Sequence, residues 1–572
     1  MTLRRILSLS RVAIACTIVA ASLFLLDGCS KSKPAATPPV PATPQTPAAT
    51  QSTAPSEPAA DEASRDRLLA TGTQVFNNFC ASCHGETGDG NGPAARFLFP
   101  KPRNFRDGRF RLVTTTNRIP SDDDLMHAIN RGMPGSAMFP FEHLSEGDRK
   151  ALVVYVRQLT RVGIEDRLRK SAEEFGEMID PKELAQDVEQ MTKPGKPFEF
   201  AADLPAFGDE SIARGRQLYL KQGCASCHGE NGKGDGVQDQ RDDDGSPTSP
   251  RDYTRGTFKG GREREQLYAR TLLGMPGTPM PSSGNLKPPE IGDLVNYLQS
   301  LSEPSAQNRV QHKRTRVVAK RAGEILSVDI PDAAWESAPD SSIVVSPLWW
   351  RNYAEPDLHV QALHDGRSLA IRITWQDEFR NEQAVRPQEF VDMVAVQLFR
   401  GTREPFLGMG ATDGSVDVWL WQAGGQADPG SRADVDTAYP NMAVDMYPFE
   451  QEGNGSRPHA TQNQLREFIT AWAAGNLRSD PTGGLPANSL RAKGFGTLTM
   501  MPRVSQVVSG KGSWSDGRWT IVLHRPLEVS SDAGVQLTPG DKLSFAIAVW
   551  DGAARDRNGQ KLVSIWHDLE LE

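Results

Sequence analysis

The chain has 572 residues, of which 38% are hydrophobic and 24% are charged, and its formal net charge is −8. This length is sufficient for several domains that each bury a core. The acidic balance argues against a nucleic-acid ligand, because proteins that bind nucleic acids present basic surfaces.

The first 29 residues have the pattern of an export signal. Two arginines precede an apolar run at 12–26, which is shorter than the ~20 residues that a membrane-spanning helix needs. The sequence Leu-Asp-Gly-Cys at 26–29 follows and resembles a bacterial lipobox. The resemblance implies a lipid anchor on Cys29 at the periplasmic side of a bacterial membrane, and Ser30 slightly favours the outer membrane. Asp27 departs from the small residue usual in this motif, and the alternative is an ordinary signal peptide.

Residues 30–64 are rich in proline, alanine, threonine and serine, and they include almost no large apolar residue. Such a segment cannot bury a core, so we predict a disordered, extended linker. It would tether the domains that follow to the lipid.

The sequence Cys-Ala-Ser-Cys-His occurs twice, at 80–84 and at 224–228. In this motif the two thiols bond covalently to the vinyl groups of a haem, and the adjacent histidine binds the iron. The alternatives are a structural zinc site and a thioredoxin-like redox pair. A zinc site needs four ligands, and nothing nearby completes them. The motif therefore predicts two covalent c haems. The attachment residues are Cys80, Cys83, Cys224 and Cys227, and the proximal ligands are His84 and His228.

A second repeat supplies a distal ligand for each haem. Gly-Met-Pro-Gly occurs at 132–135 and at 274–277, and the methionine that follows, Met138 or Met280, lies 54 or 52 residues after the motif histidine. The two copies thus have comparable spacing, which favours a ligand over a packing residue in both. The alternative ligands are Met133 and Met275.

Together, these repeats resemble class I cytochrome c domains over residues 65–165, called unit 1 here, and residues 208–303, called unit 2. The resemblance implies two small all-α folds whose haem iron has histidine and methionine ligands. In the family the distal ligand is the later methionine, beside a proline, which favours Met280 and, by alignment, Met138.

The connector between the units, residues 166–207, is charged and is predicted to form a helix and a loop. Each unit is predicted to end in an amphipathic helix, at 146–159 and at 289–301. The acidic run at 241–244 is interpreted as a solvated loop rather than a calcium site, because no regular ligand spacing follows it. A basic linker at 304–319 leads into the rest of the chain.

From residue 320 to residue 572, apolar and polar residues alternate in short runs separated by turn residues. Examples are 369–375, 393–398 and 543–550. This period of two predicts short strands, which we interpret as an antiparallel β-sandwich. All 11 tryptophans lie after residue 330, in agreement with a large β core, and only 464–473 has a helical pattern.

Three stretches of this region, at 390–397, 405–421 and 548–567, resemble the haem-binding γ subunits of ethylbenzene dehydrogenase and its relatives. Those subunits serve molybdenum enzymes of the dimethyl sulfoxide reductase superfamily. The resemblance implies one non-covalent b haem held between Met409 and Lys561. Glycines on both sides of Met409 would let the backbone approach a flat ring, and desolvation would help Lys561 to lose its proton. The fallback ligands are His567, His359 and His364.

These features favour an electron-transfer subunit over a catalyst. We expect two c haems and one b haem to relay electrons for molybdopterin and iron–sulfur subunits of an oxidoreductase, with other periplasmic carriers as further partners. A stand-alone haem oxidoreductase is one alternative, although a methionine in each c unit argues against an open iron position. A cytochrome fused to a carbohydrate- or surface-binding β-sandwich is the other, since tryptophans stack on sugars.

Overall fold

The computed structural model describes residues 57–572 apart from 238, 324–325, 352–355, 428–437, 440, 442–484 and 532. The predicted export signal, Cys29 and the helix predicted at 464–473 lie outside the described residues. Among the residues that are described, no helix combines the length and the apolar character that a membrane span requires.

Unit 1 is helical, as predicted. Its helices are α1 (Glu57–Phe79), α2 (Ala81–His84), α3 (Asp122–Arg131) and α4 (Glu146–Phe175). The first of these begins within the segment expected to be linker. At the start of α3, the side chains of Ser121 and Asp124 each accept a hydrogen bond from the other residue's backbone N–H, a capping box that fixes where the helix begins.

The connector and unit 2 are also mainly helical. Their elements are α5 (Pro181–Thr192), α6 (Asp209–Lys221), α7 (Cys224–His228), α8 (Arg264–Leu273) and α9 (Pro288–Ser300), with a short hairpin of β1 (Gln240–Arg241) and β2 (Pro247–Thr248). The predicted end of α4 at 159 is wrong. The helix continues because Ile164 packs against Leu184 and Val188 of α5, and all three are buried.

Glycines allow the first and last helices of each unit to cross closely. A β-carbon at Gly72 in α1 would lie 2.3 Å from the Ala151 carbonyl oxygen in α4. One at Gly215 in α6 would lie 2.0 Å from the Asp293 carbonyl oxygen in α9. Neither crossing leaves room for a side chain, so both units use the same helix contact.

The two units pack together through equivalent loops. A β-carbon at Gly135 of unit 1 would lie 2.6 Å from Thr257 Cγ2 of unit 2, and one at Gly277 of unit 2 would lie 2.9 Å from Arg103 Nη1 of unit 1. Gly135 and Gly277 occupy the same place in the repeated Gly-Met-Pro-Gly sequence. The methionine loop of each unit therefore contacts the other unit reciprocally.

The rest of the chain forms a large, mostly antiparallel β domain, which confirms the predicted fold class. Its strands are β3 (Arg316–Arg321), β4 (Ser341–Ile343), β5 (Ser346–Pro347), β6 (Leu358–His364), β7 (Ser368–Gln376), β8 (Met393–Phe399), β9 (Val416–Gln422), β10 (Ala487–Ala492), β11 (Thr499–Met500), β12 (Ser509–Ser515), β13 (Arg518–Pro526), β14 (Lys542–Trp550), β15 (Leu562–Val563) and β16 (His567–Leu571). Two short helices, α10 (Asp332–Trp335) and α11 (Ala423–Ala427), accompany them. Along the sheet the order is β11-β10-β9-β8-β14-β16-β3-β6-β7-β13-β12. The parallel pairing of β3 with β16 and β6 was not predicted.

The two ends of this sheet fold over each other around one core. Trp421 of β9 and Trp519 of β13 are far apart in the strand order, yet their ring centres are 5.1 Å apart. On β14 every second residue faces this core, and the residues between them face outward. The inward residues are Phe545, Ile547 and Val549, and the outward ones are Ala546, Ala548 and Trp550.

Candidate haem sites

The short helix α2 presents the first Cys-Ala-Ser-Cys-His motif. Its turn places Cys80 and Cys83 three residues apart on one face. The His84 Nδ1–H donates a hydrogen bond of 2.9 Å to the Arg103 carbonyl oxygen, so Nε2 carries the lone pair that a metal needs. Burial lowers the pKa of His84 to about 4, and the imidazole is therefore neutral, as an iron ligand must be.

The second motif, on α7, is arranged in the same way. The His228 Nδ1–H donates to the Arg251 carbonyl oxygen at 3.4 Å, and burial lowers the pKa of His228 to about 4. Its ring lies on Tyr253, with the ring centres 4.6 Å apart. None of the four motif cysteines forms a disulfide, so all four remain available for covalent attachment of haem.

The residues that hold the two histidines form a repeat that our interpretation of the sequence missed. Pro-Arg-Asn-Phe at 102–105 matches Pro-Arg-Asp-Tyr at 250–253. In each copy the arginine carbonyl oxygen accepts from the motif histidine, and the aromatic ring stacks on that histidine. An alignment of the two units over their full length would have found both copies.

The methionine loops have the same backbone hydrogen bond in both units. The Met133 N–H donates to the Met138 carbonyl oxygen at 2.8 Å, and the Met275 N–H donates to the Met280 carbonyl oxygen at 3.1 Å. In unit 1 both methionines line the cavity described below. The choice of Met138 and Met280 as ligands therefore stays a prediction that depends on the repeat.

Replacing the later methionine of either loop is expected to remove the distal ligand of one c haem. For Met138→Ala and Met280→Ala we expect that haem to lose its weak red sulfur-to-iron absorption band and to show a lower midpoint potential, because methionine ligation raises the potential. Met133→Ala and Met275→Ala are matched controls that should keep both bands. The reverse pattern would assign the ligand to the earlier methionine.

One cavity of about 600 Å³ extends from the first motif to the β domain. This volume is within the range of cofactor and ligand sites in proteins. The wall on one side belongs to unit 1. The other side is the outward face of β10, β9, β8 and β14 together with the loops that contain 406–409, 495–498 and 558–561. The lining residues with haem chemistry or a flat ring include Cys80, His84, Met138, Met409, Trp550 and Lys561.

The strands give this cavity a flat, apolar floor. Three small side chains, Ala395 of β8 and Ala546 and Ala548 of β14, point outward into it. Leu420 and Trp550 flank them. Because alternate strand residues share one face, the small side chains form a continuous shallow surface, and a planar ring fits against such a surface.

Lys561 lies at one edge of the cavity. Its Nζ atom is 4.7 Å from the ring centre of Trp550, and burial lowers the pKa of Lys561 to about 8. The side chain is partly buried and lines the cavity. A lysine binds a metal only as the neutral amine, so this environment favours the predicted role.

Met409 lines the same cavity. Its backbone has φ = 82°, in the left-handed region that residues with a side chain adopt at an energetic cost. The Gly494 N–H donates a hydrogen bond of 2.8 Å to the Met409 carbonyl oxygen and holds this conformation. Strain of this kind is concentrated at functional sites, which supports a role for Met409 beyond packing.

The loops that carry Met409 and Lys561 follow two neighbouring antiparallel strands, β8 and β14. The start of β8 lies opposite the end of β14, so the loops that follow these two strands leave from opposite ends. The Met409 loop instead folds back over the sheet, where the Gln397 side-chain amide donates to the Leu407 carbonyl oxygen at 3.0 Å. The two residues reach one cavity by this fold-back.

The three histidines considered as fallback ligands lie away from the described lining of this cavity. His364 is fully buried in β6, and His567 is 1% exposed in β16. The His567 Nδ1 atom accepts a hydrogen bond of 3.0 Å from the Thr315 N–H, and His359 contacts Asp340 at 2.7 Å. Each of the last two therefore has a hydrogen-bonding role elsewhere.

A buried basic cluster lies between the two c sites. Arg103 and Arg111 of unit 1 and Arg251 and Lys259 of unit 2 surround Asp242. Asp242 is 6% exposed, lies 3.4 Å from Arg103 Nη2 and also pairs with Arg111. The interpretation of 241–244 as a solvated loop is therefore wrong for Asp242.

Positive groups outnumber negative ones in the buried part of this cluster. Burial, together with the charges of Arg251 and Arg111, lowers the pKa of Lys259 well below its usual value. Haem carries two carboxylates at one edge, and a buried basic cluster is the environment that such anions require. Since Arg103 and Arg251 also supply the carbonyl groups that hold the motif histidines, the residues present fit two covalent haems.

Removing one positive charge from this cluster is expected to lower the midpoint potentials of both c haems. A nearby cation stabilises the reduced haem, which has one positive charge fewer, and in a buried site this attraction is weakly screened. We expect Arg103→Met to shift both potentials downward in a redox titration. The control Arg216→Met removes an exposed arginine of unit 2 and should leave both unchanged. A shift of one potential alone would mean that the cluster is not shared.

Comparison with known proteins divides the chain in the same way. Residues 332–562 match the ethylbenzene dehydrogenase family, and residues 69–160 and 212–302 match the cytochrome c family.

Two curated relatives and one solved structure align with part of the chain. Chlorate reductase subunit gamma from Ideonella dechloratans is 25% identical over 271 residues, which is 44% of this chain and 86% of the relative. Dimethylsulfide dehydrogenase subunit gamma from Rhodovulum sulfidophilum is 23% identical over 253 residues, 41% of this chain and 72% of the relative. A chain of the reducing HAO-like protein complex from Kuenenia stuttgartiensis is 33% identical, with a TM-score of 0.35, over 41% of this chain and 96% of that chain.

Proposed function

We propose that this chain, which carries two cytochrome c domains and a domain of the ethylbenzene dehydrogenase γ type, is an electron-transfer subunit with two covalent c haems and one b haem. Bound haem supplies one-electron chemistry at each site. The observation that carries the proposal is the placement of Met409 and Lys561 on one cavity with the first c motif. Paired ligands on both sides of an iron suit electron transfer, because they leave no position for a substrate.

The residues of the chain have separate tasks in this function. Thiols attach the c haems, histidines and methionines bind iron, and the basic cluster balances the haem carboxylates. The proposed ligand pairs are His84 with Met138, His228 with Met280, and Met409 with Lys561.

We infer that the partner is a molybdenum oxidoreductase with an iron–sulfur subunit. Two relatives are named as γ subunits, one of chlorate reductase and one of dimethylsulfide dehydrogenase, and the resemblance of the β domain implies the same kind of partner. Phe495 and Leu498 line the cavity and are 36% and 41% exposed. Exposed apolar side chains beside a cofactor site are a common feature of docking surfaces.

The proposed location is the periplasmic side of a bacterial membrane, with a lipid on Cys29. Cys29→Ser is expected to move the protein from the membrane fraction to the soluble fraction, since it removes the residue to which the lipid is attached. Haem content should not change, because every proposed haem ligand lies after residue 79. The measurement is fractionation with haem staining, and a wild-type protein found entirely in the soluble fraction would contradict the anchor.

Haem analysis of the exported, full-length protein tests the function. Intact mass should show two added haems, and a pyridine haemochrome assay should show two c haems and one b haem for each chain. Affinity purification from the native host should also recover molybdenum and non-haem iron with the chain. If only c haem is found, the sugar- or surface-binding β-sandwich becomes the better account of the last domain.

A further inference from the structure

We propose that unit 1 forms one wall of the b-haem site, so that the chain holds b haem firmly only when covalent haem is attached at Cys80 and Cys83. This inference rests on the proposed function, because it takes Met409 and Lys561 to be the b-haem ligands. It joins two sites that the sequence presents as separate domains. The b haem would then be the second cofactor to be installed.

The shape of the β domain is the first argument. Its side of the cavity is the outward face of a sheet, floored by residues such as Ala395 and Ala546. A sheet face alone is an open surface, whereas cofactor sites enclose most of their ligand. The opposite wall comes from unit 1, including Leu98 and Phe105. The pocket is therefore closed only when unit 1 is folded against the sheet.

Backbone hydrogen bonds connect unit 1 directly to Lys561. The Phe99 N–H donates to the Leu348 carbonyl oxygen at 3.0 Å, and the Trp350 N–H donates to the Phe99 carbonyl oxygen at 2.9 Å. The Leu348 N–H in turn donates to the Lys561 carbonyl oxygen at 2.9 Å. Two hydrogen bonds thus separate a loop of unit 1 from one proposed ligand.

Side chains brace both ligand loops against unit 1. Phe406, three residues before Met409, packs against the core of unit 1 that includes Phe79. A β-carbon at Gly559, two residues before Lys561, would lie 2.8 Å from the Phe97 side chain. Both proposed ligands therefore lie on segments whose positions depend on contact with unit 1.

The first motif faces the same space. Cys80, Cys83 and His84 all line the cavity with Met409 and Lys561, so haem attached there would fill part of the wall. Without that haem the b site would border an unfilled volume, and a bound ring loses packing against an unfilled volume. Cys224 and Cys227 of unit 2 are not among the described residues that line this cavity, which gives the experiment a matched control.

Two pairs of cysteine substitutions in the full chain test the inference. We expect Cys80→Ser with Cys83→Ser to remove one covalent haem and also most of the haem that acid–acetone extracts, which is b haem. We expect Cys224→Ser with Cys227→Ser to remove one covalent haem and leave the extractable haem at the wild-type level. Equal extractable haem in both variants would overturn the inference.

A chain without haem in unit 1 can also lose the fold of that unit, so a second pair of variants keeps both covalent haems. Leu98→Ala removes a buried leucine from the wall, and Leu184→Ala removes a buried leucine of the connector that lies outside the described lining of the cavity. We expect b haem to pass to apomyoglobin on the order of tenfold faster from Leu98→Ala, and at the wild-type rate from Leu184→Ala. Identical rates would overturn the inference.

These outcomes separate this inference from the proposed function. A wild-type chain with no extractable haem overturns both. The wild-type chain can instead hold one b haem whose retention changes neither in the Cys80→Ser, Cys83→Ser variant nor in Leu98→Ala. That result supports the proposed function and overturns this inference alone.

Discussion

Lys561→Ala is expected to remove most of the b haem from the protein while both c haems remain. The substitution deletes one of the two proposed iron ligands and leaves Met409 alone on the other side of the ring. Thioether sulfur is a weak, neutral donor, so the remaining haem should be five-coordinate and readily extracted. The measurement is extractable haem for each chain, together with the absorption spectrum of the reduced protein.

The matched control for this prediction is Lys542→Ala. Lys542 is exposed at the start of β14 and pairs with Glu570 at 2.9 Å, and an exposed pair contributes little to stability. Its loss should leave the haem content unchanged. If Lys561→Ala retains a full complement of six-coordinate b haem, Lys561 is not a ligand.

Asp392→Ala is expected to destabilise the β domain by about 3 kcal/mol, because it removes the acceptor of three buried hydrogen bonds. The Asp392 side chain is fully buried. Its Oδ1 accepts from the Gly552 N–H at 2.8 Å, and its Oδ2 accepts from the Asn381 N–H at 2.8 Å and the Trp519 Nε1–H at 3.0 Å. These donors would be left without a partner in the variant.

Two neighbours reduce the expected loss. Asp377 and Asp551 have carboxylate oxygens within 4.8 Å of Asp392. Burial, together with the charges of Asp392 and Asp551, raises the pKa of Asp377 to about 7. Relief of this repulsion offsets part of the cost at neutral pH. The measurement is urea unfolding followed by tryptophan fluorescence. Asp413→Ala, at an exposed position, should have no effect, and an equal effect of both substitutions would contradict this account.

The parts of this protein that local chemistry determines could be predicted from its sequence. The spacing of Cys80, Cys83 and His84 is required by the haem itself, so the motif indicates the site without any tertiary information. Alternation along β8 and β14 likewise predicts strands, because a period of two is a property of each strand alone.

The parts that depend on contacts between distant segments could not be predicted. The sequence around Asp242 predicts an exposed residue in an acidic run, and its burial is explained by its pairing with Arg103 and Arg111 of the other unit. The direction in which the Met409 loop leaves β8 depends on strand pairing with β14. The shared cavity depends on how unit 1 packs against the sheet, for which neither segment carries a local signal.

The reciprocal contact between the methionine loops has the geometry of an isologous interface, in which one surface meets a second copy of itself. Gly135 meets the residues around Thr257, and Gly277 meets the equivalent residues around Arg103. The methionine loops of the two units therefore relate to each other as the protomers of a symmetric homodimer would, with the connector as a covalent tie. The charges around these loops do not repeat, because Arg109 and Arg111 of unit 1 pair with Asp243 and Asp242 of unit 2. Charge complementarity therefore favours the pairing of unit 1 with unit 2 over the pairing of either unit with a second copy of itself.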